Sequence, residues 1–258
     1  VIMGLFSGQF FIGLFEIASN DLFIIAGIIF ASALIPIALS KITAPEVLDV
    51  TSMSLFKLYK LSPLGVISCF TAGTIYFSVM SLLPIVGAHY GFENFTISLY
   101  VGIAILGGFF LQFPIGYLSD RFDRRTVLLY ILIISVATNI IISFLDPENG
   151  LWPIFLTTTI TSGIISCIYP LSISQTFDQL KQSEMVSAMG SMIMAYAIGG
   201  IVGPYSISLL MNIFGDNVLF YCLALVQLLL SGFVLYRMSI SEAFTIEDEE
   251  RFFMQTGH

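Results

Sequence analysis

The chain has 258 residues, of which 57% are hydrophobic and 10% are charged, and its formal net charge is −8. A soluble domain is about 45–50% apolar and about 25% charged, so this composition leaves too little polar surface for a water-soluble globule. Several runs of about 18 or more residues carry almost no charge, which is the length that an α-helix needs to cross a bilayer. A transmembrane barrel would require alternating polarity instead. The sequence therefore predicts an all-α polytopic membrane protein.

Helical spans are predicted, in chain order, at 1–19, 22–40, 63–86, 96–118, 126–145, 151–174, 184–212 and 217–237. The longest connection, 41–62, contains three lysines and Pro45, and we interpret it as a linker between two bundles. The predicted domains are two helices at 1–40, this linker at 41–62, a six-helix bundle at 63–237 and an acidic tail at 238–258.

The basic residues predict the orientation of these spans. If the spans alternate in direction, all nine lysines and arginines fall on one side of the membrane, and the loops around Asp21, Glu93, Asp146 and Asp216 fall on the other. Lysine and arginine accumulate in cytoplasmic loops. The basic side, with both ends of this chain, is therefore predicted to be cytoplasmic.

A weak internal repeat relates the first and seventh spans. Gly4 and Gly8 recur at the same spacing as Gly199 and Gly203, so spans 1–2 resemble spans 7–8. Parallel repeats of this kind are common in transporters, and a preceding six-helix unit would place about four more helices before this chain. The seventh span also predicts close helix packing with a kink, at Gly199, Gly200, Gly203 and Pro204.

The stretch GYLSDRFDRR, residues 116–125, concentrates charge between two apolar spans. It resembles the loop motif G-x-L-a-D-R-x-G-R-R of the major facilitator superfamily (MFS), with Asp123 at the second glycine position. Together with YPLSIS and GGIVGP further along, it looks most like the YcaD-type subfamily. The resemblance implies an MFS fold made of the family's helices 5–12, that is, a complete C-terminal bundle and the last two helices of the N-terminal bundle.

The resemblance also implies a gate formed by Gly116, Asp120, Arg121, Arg124 and Arg125. Gly116 would let a neighbouring helix approach closely. Asp120 follows an apolar helix, where a carboxylate needs donors such as the arginines or the N-terminus of the helix that begins near Glu184. Asp120 would hold that helix in one state of the carrier and release it in the other. Plain anchoring by positive charge is the alternative.

Hydroxyl groups at helical spacing suggest a substrate cavity. The resemblance implies that spans 3, 4, 6 and 7 line it while spans 2, 5 and 8 pack outside. Hydrogen bonds between helices are the alternative role for such groups, and the sequence leaves both open. The cavity candidates are Thr71, Thr74, Tyr76, Ser78, Gln112, Thr158, Ser162 and Tyr169.

These features predict a secondary transporter that moves a small solute by alternating access, in the inner membrane of a bacterium. The alternative is a non-transporting receptor or scaffold with the same fold. An enzyme is not expected, since no catalytic or metal-binding spacing is visible. The expected partners are a small-molecule substrate and the lipid bilayer, without nucleic acid, cofactor or metal, and the chain is expected to be monomeric. Proton coupling stays open, because no charged residue lies at mid-membrane depth in spans 3–8.

Overall fold

The computed structural model of the protein describes residues 2–14, 20–39 and 53–240. The described residues form helices joined by short loops, which confirms the predicted all-α fold. The helices are α1 (Ile2–Leu14), α2 (Asp21–Leu39), α3 (Leu55–Leu61), α4 (Pro63–His89), α5 (Asn94–Arg121), α6 (Arg124–Ser143), α7 (Leu151–Phe177), α8 (Gln182–Phe214) and α9 (Val218–Ile240).

In the described part of the chain, six helices, α4 to α9, are long and apolar enough to cross a membrane. The apolar runs fold as helices because a spanning segment must satisfy its backbone N–H and C=O groups internally. After Asp21, α2 is almost entirely apolar and leaves most side chains uncovered, with Phe23 78% exposed and Leu39 79% exposed. Such a surface suits contact with lipid.

α3 was not predicted, and it lies within the segment interpreted as a linker. Its sequence, LFKLYKL, is too short to span a bilayer, and its lysines concealed the helical pattern. Leu58 is nevertheless fully buried, and the Ser191 hydroxyl of α8 donates a hydrogen bond to the Met53 carbonyl just before α3. α3 therefore packs against α4 and α8. The rest of the predicted linker, 41–52, and the tail from 241 lie outside the described residues.

Glycines allow two pairs of helices to approach backbone to backbone. α4 packs on α8, where a Cβ atom at Gly199 would overlap the carbonyl oxygen of Phe70 and one at Gly203 would overlap that of Thr74. α5 packs on α7, where a Cβ at Gly107 would overlap the Thr159 carbonyl oxygen. Small residues serve this purpose in membranes, because helix association there depends on close van der Waals packing.

Gly200 differs from the two glycines beside it, although the sequence grouped all three in one packing motif. A Cβ atom at Gly200 would overlap the aromatic ring of Phe77, so this glycine faces a side chain of α4 rather than its backbone. The reason is helical geometry: Gly199 and Gly203 are four residues apart and share one face, whereas Gly200 is rotated away from that face by about 100°. α8 continues as an α-helix through Pro204, and the kink expected there stays a prediction.

α6 and α9 pack against each other on the outside of the bundle and are joined by buried amides. Asn139 Nδ2 donates to Gln227 Oε1 at 3.1 Å, and both side chains are fully buried. Thr161 on α7 donates to Thr138 on α6 at 2.6 Å. Since lipid offers no alternative partners, such bonds favour one arrangement of the helices. The interior of the bundle is therefore surrounded by α4, α5, α7 and α8.

Polar contacts also join the end of α4 to the loop between α8 and α9. His89 Nδ1 lies 2.7 Å from Asp216 Oδ2, and the Tyr90 hydroxyl donates to Asn217 Oδ1 at 3.3 Å. Burial raises the pKa of Tyr90, and the carboxylates of Asp216 and Asp146 raise it further. The hydroxyl of Tyr90 therefore stays protonated and available as a donor at neutral pH.

Candidate functional site

A cavity of about 300 Å³ lies among α1, α4, α5, α7 and α8. This volume is at the lower end of the range for small-molecule sites. Much of its wall is apolar, with Ile2 and Leu5 of α1 on one side and Met80 and Ile165 among the residues that line the rest. Its polar lining residues are Tyr76, Gln112, Ser162, Ser166, Tyr169 and Tyr196.

Tyrosines from three helices meet in this wall. The ring centroids of Tyr169 on α7 and Tyr196 on α8 are 4.4 Å apart, and Tyr76 on α4 lies 6.4 Å from Tyr196. The ring centroid of Phe77 lies 5.3 Å from that of Tyr196. Aromatic pairs at these distances stabilise each other beyond the area they bury. The packed rings form a surface that has apolar ring faces and hydroxyl groups at its edges.

Four of the predicted cavity candidates line this cavity, namely Tyr76, Gln112, Ser162 and Tyr169. Gln112 Nε2 lies 3.5 Å from the Ser166 carbonyl oxygen, a long contact that leaves the amide available to another partner. The hydroxyl of Ser162 is buried and has no hydrogen-bond partner. The Gln112 amide could therefore bind a polar atom of a solute without first breaking a strong bond.

The other candidates lie outside the lining of this cavity. Thr74 donates to the Phe70 carbonyl and Ser78 to the Thr74 carbonyl, on the part of α4 that faces the glycines of α8. Thr71 is buried, and Thr158 lies 2.9 Å from the Tyr100 hydroxyl of α5. The spacing correctly places such residues on one stripe of a helix, but it does not say whether that stripe faces a cavity or a neighbour.

Sequence reasoning missed Tyr196, although a usable signal is present. Tyr196, Gly199 and Gly203 follow one another at steps of three and four, so they share one face of α8. A Cβ atom at Gly73 of α4 would overlap the carbonyl oxygen of Tyr196, which shows how closely α4 passes this residue. Tyr196 thus lies on the glycine-rich face of α8 and reaches the cavity beside a close contact of α8 with α4.

Asp123 is the N-cap of α6, which explains the departure from the family's loop motif. Its Oδ2 accepts hydrogen bonds from the Thr126 backbone N–H at 3.2 Å and from the Thr126 hydroxyl at 2.9 Å. Asp is among the best N-cap residues, because its carboxylate satisfies N–H groups that lack partners in the first turn. At the position where the family motif has a glycine, this chain therefore has a capped helix start instead of a glycine turn.

An ion pair joins the start of α6 to the end of α7. Arg124 Nε lies 3.1 Å from Asp178 Oδ2, and the two side chains are 24% and 22% exposed. Asp178 is the C-cap of α7 and was not singled out from the sequence. The signal available was a single carboxylate directly after a long apolar helix, where it must find a donor.

The remaining residues of the predicted gate are spread over the end of the bundle where α6 begins and α7 ends. Asp120 is 74% exposed, and its ion pair with Arg124 is 4.0 Å long. Arg121 lies over the Tyr117 ring at 4.4 Å, whereas Arg125 is buried. α5 packs mainly on α7 and α1, so the contact expected between Asp120 and α8 is not formed in this conformation.

Gly116 also differs from its expected role. A Cβ atom there would meet no other atom within 4 Å, so no helix approaches closely at this point. The close approach of α5 occurs earlier, at Gly107 and Gly108, where α7 passes.

Comparison with known proteins is consistent with this architecture. The family model for the Major Facilitator Superfamily matches residues 65–251. The uncharacterised MFS-type transporter YcaD of Escherichia fergusonii is 24% identical over 199 residues, which cover 76% of this chain and 50% of that protein. The uncharacterised MFS-type transporter YE1530 of Yersinia enterocolitica is 24% identical over 232 residues, which cover 88% of this chain and 58% of that protein.

The chain thus spans about half the length of the curated relatives it matches. Its apolar spanning helices, together with the family match, make it an integral membrane protein. The prediction of an MFS fold related to the YcaD-type proteins is confirmed. The chain belongs to the major facilitator superfamily.

Proposed function

We propose that the full protein is a secondary transporter that carries a small solute across the bacterial inner membrane by alternating access. The observation that supports this most is the cavity of about 300 Å³ among α4, α5, α7 and α8, which also touches α1. In MFS carriers the two bundles rock around a site at their interface. Residues 63–237 would form one bundle and residues 1–40 the end of the other, joined through 41–62.

The lining of the cavity suggests the kind of solute. The described lining contains tyrosine, serine and glutamine side chains, and no Asp, Glu, Lys, Arg or His is among them. An ion would lose its hydration there without gaining an opposite charge from these residues. A neutral or amphipathic molecule with a hydroxyl or amide group would suit this half of the site.

Replacing Ser162 by valine tests the cavity. The change removes a hydroxyl and adds apolar volume in the wall, so we expect transport by the full-length protein to fall at least severalfold. The control is Thr74→Val, which removes a hydroxyl of similar burial outside the lining and should leave apparent solute affinity unchanged. Solute uptake into proteoliposomes measures both variants. Equal effects of the two changes would contradict the assignment of Ser162 to the binding site.

We further propose that Asp120 is the movable member of the gate, together with Arg121, while Arg124 and Arg125 are held within the bundle. Asp120 is highly exposed and only distantly paired, as a released latch would be. In the other state of the carrier it would bind the start of α8. Such a bistable contact is what alternating access requires.

Asp120→Asn is therefore expected to reduce flux strongly while leaving thermal stability nearly unchanged, since an exposed ion pair contributes at most about 1 kcal/mol. Flux in proteoliposomes and unfolding in detergent should be measured on the same preparation. Asp146→Asn, at an exposed carboxylate of the opposite loop, is the control. Undiminished transport by Asp120→Asn would exclude the gate.

The orientation follows from the basic residues and remains part of the proposal. A cysteine introduced at Glu93 should react with an impermeant maleimide added outside intact cells, and one introduced at Lys181 should react only after permeabilisation. Both positions are exposed at opposite ends of the bundle, so access of the reagent depends on sidedness alone. The reverse labelling pattern would invert the proposed topology.

A further inference from the structure

Gln112 of α5 offers the cavity a donor and an acceptor side by side. Its Nε2 atom makes only the long contact of 3.5 Å with the Ser166 carbonyl oxygen. Because a carbonyl oxygen can only accept a hydrogen bond, this contact also identifies which atom of the amide is the nitrogen. The Oε1 atom is not fully buried, and it accepts no hydrogen bond from the described residues. Both ends of the Gln112 amide can therefore bind one solute.

Three tyrosine hydroxyls in the wall of the same cavity are open as well. Tyr76, Tyr169 and Tyr196 are partly exposed, and their hydroxyl groups make no hydrogen bond with the described residues. None of these three hydroxyl oxygens is fully buried, so a solute can reach them. The rings pack against one another, which fixes their positions before a solute binds. A wall of this kind favours a flat partner, because aromatic rings attract one another through their faces and edges.

Helical geometry places the Gln112 amide close to these rings. Ser166, whose carbonyl oxygen contacts Gln112, and Tyr169 are three residues apart on α7. Three residues correspond to a rise of about 4.5 Å and to neighbouring positions on one helix face. A molecule of one or two fused rings spans such a distance, and a cavity of about 300 Å³ has room for it. One solute can therefore contact the amide and the tyrosine rings together.

We propose that the cavity binds an uncharged planar ring compound that carries a lactam group, that is, a ring N–H beside a ring carbonyl. The proposal rests on the proposed transport function, since this compound would be the solute. The lactam N–H would donate to Gln112 Oε1 while the lactam carbonyl accepts from Gln112 Nε2. Glutamine side chains bind the edges of nucleic-acid bases through the same pairing of donor and acceptor. The face of the ring would pack on the tyrosines.

Three related probes separate the two requirements, planarity and the lactam edge. Uracil has both, 5,6-dihydrouracil keeps the lactam groups but loses the planar aromatic ring, and 1,3-dimethyluracil keeps the ring but has no N–H donor. Titrations followed by saturation-transfer difference NMR measure their binding to the full-length protein in detergent. We expect saturable binding of uracil, about two- to tenfold tighter than that of dihydrouracil. Dimethyluracil should bind about tenfold more weakly than uracil, because Gln112 Oε1 then loses its donor.

Variants assign these differences to residues. Gln112→Met keeps a side chain of similar length without hydrogen-bonding groups, so uracil should bind about tenfold more weakly while dimethyluracil is little affected. Tyr196→Leu removes a ring from the wall, so the preference for uracil over dihydrouracil should shrink towards equality. Tyr205→Leu is the control, because Tyr205 lies on the same helix outside the lining and is 69% exposed. Tyr169→Leu keeps the test decisive if Tyr196→Leu does not fold.

Four results would overturn the proposal. They are the absence of saturable uracil binding, equal affinities for uracil and dihydrouracil, equal affinities for uracil and dimethyluracil, and uracil binding that Gln112→Met leaves unchanged. These readouts measure binding and not flux, so the two proposals fail separately. Uptake of another solute by proteoliposomes without uracil binding would reject this solute class and keep the transport function. Uracil binding without flux of any solute would keep the site and reject transport.

Discussion

Replacing Gly199 by alanine is expected to destabilise the protein by about 1–3 kcal/mol, the usual cost of overpacking a well-packed core. A Cβ atom there would overlap the Phe70 carbonyl oxygen and approach the Thr74 backbone nitrogen. Both are backbone atoms of α4, so no side-chain rotation can relieve the overlap. The helices must move apart, and the adjoining contact of Gly203 with Thr74 would be lost with them. Unfolding temperature in detergent measures the effect.

Gly190→Ala is the matched control for this prediction. Gly190 lies in the same helix, but a Cβ atom there meets nothing within 4 Å. Alanine restricts the unfolded chain more than glycine does, so this variant should be neutral or more stable by up to about 1 kcal/mol. The two identical substitutions are thus expected to differ in sign. If both raise stability, the close approach of α4 and α8 does not exist in the native protein.

Replacing Arg124 by glutamine is expected to cost about 1.5–3 kcal/mol, the contribution of a hydrogen bond between charged groups. The lower end of this energy range applies, because the side chains of Arg124 and Asp178 are 24% and 22% exposed and water partly screens the interaction. The change leaves the Asp178 carboxylate without this donor at the membrane boundary and loosens the junction of α6 with α7. Transport should fall with stability.

A double-mutant cycle separates this ion pair from its neighbour. Arg124→Gln and Asp178→Asn should cost less together than the sum of the single changes, because either one already breaks the 3.1 Å pair. Arg124→Gln and Asp120→Asn should be nearly additive, since that pair is 4.0 Å long and Asp120 is 74% exposed. Coupling of equal size in both cycles would mean that Asp120 is part of the fixed network rather than a movable latch.

The comparison of sequence and structure explains why some residues were assigned correctly and others were not. Ser162 and Tyr169 on α7 line the cavity, whereas Thr74 and Ser78 on α4 face the glycines of α8. Both stripes have the three- and four-residue steps of one helix face. What differs is the neighbour: α8 presents glycines to the α4 stripe and so covers it. No local pattern in α4 contains that information.

The sequence by itself determined the fold class, the family and the six spanning helices α4 to α9 of the described chain, because each depends on local properties. Length and continuous hydrophobicity specify a spanning helix wherever it lies in the bundle. The tertiary structure alone decided which polar residues face the cavity and that Asp178 pairs with Arg124. Those contacts join residues far apart in the chain, and the rotation of each helix about its axis, which brings them together, is set by the packing of its neighbours.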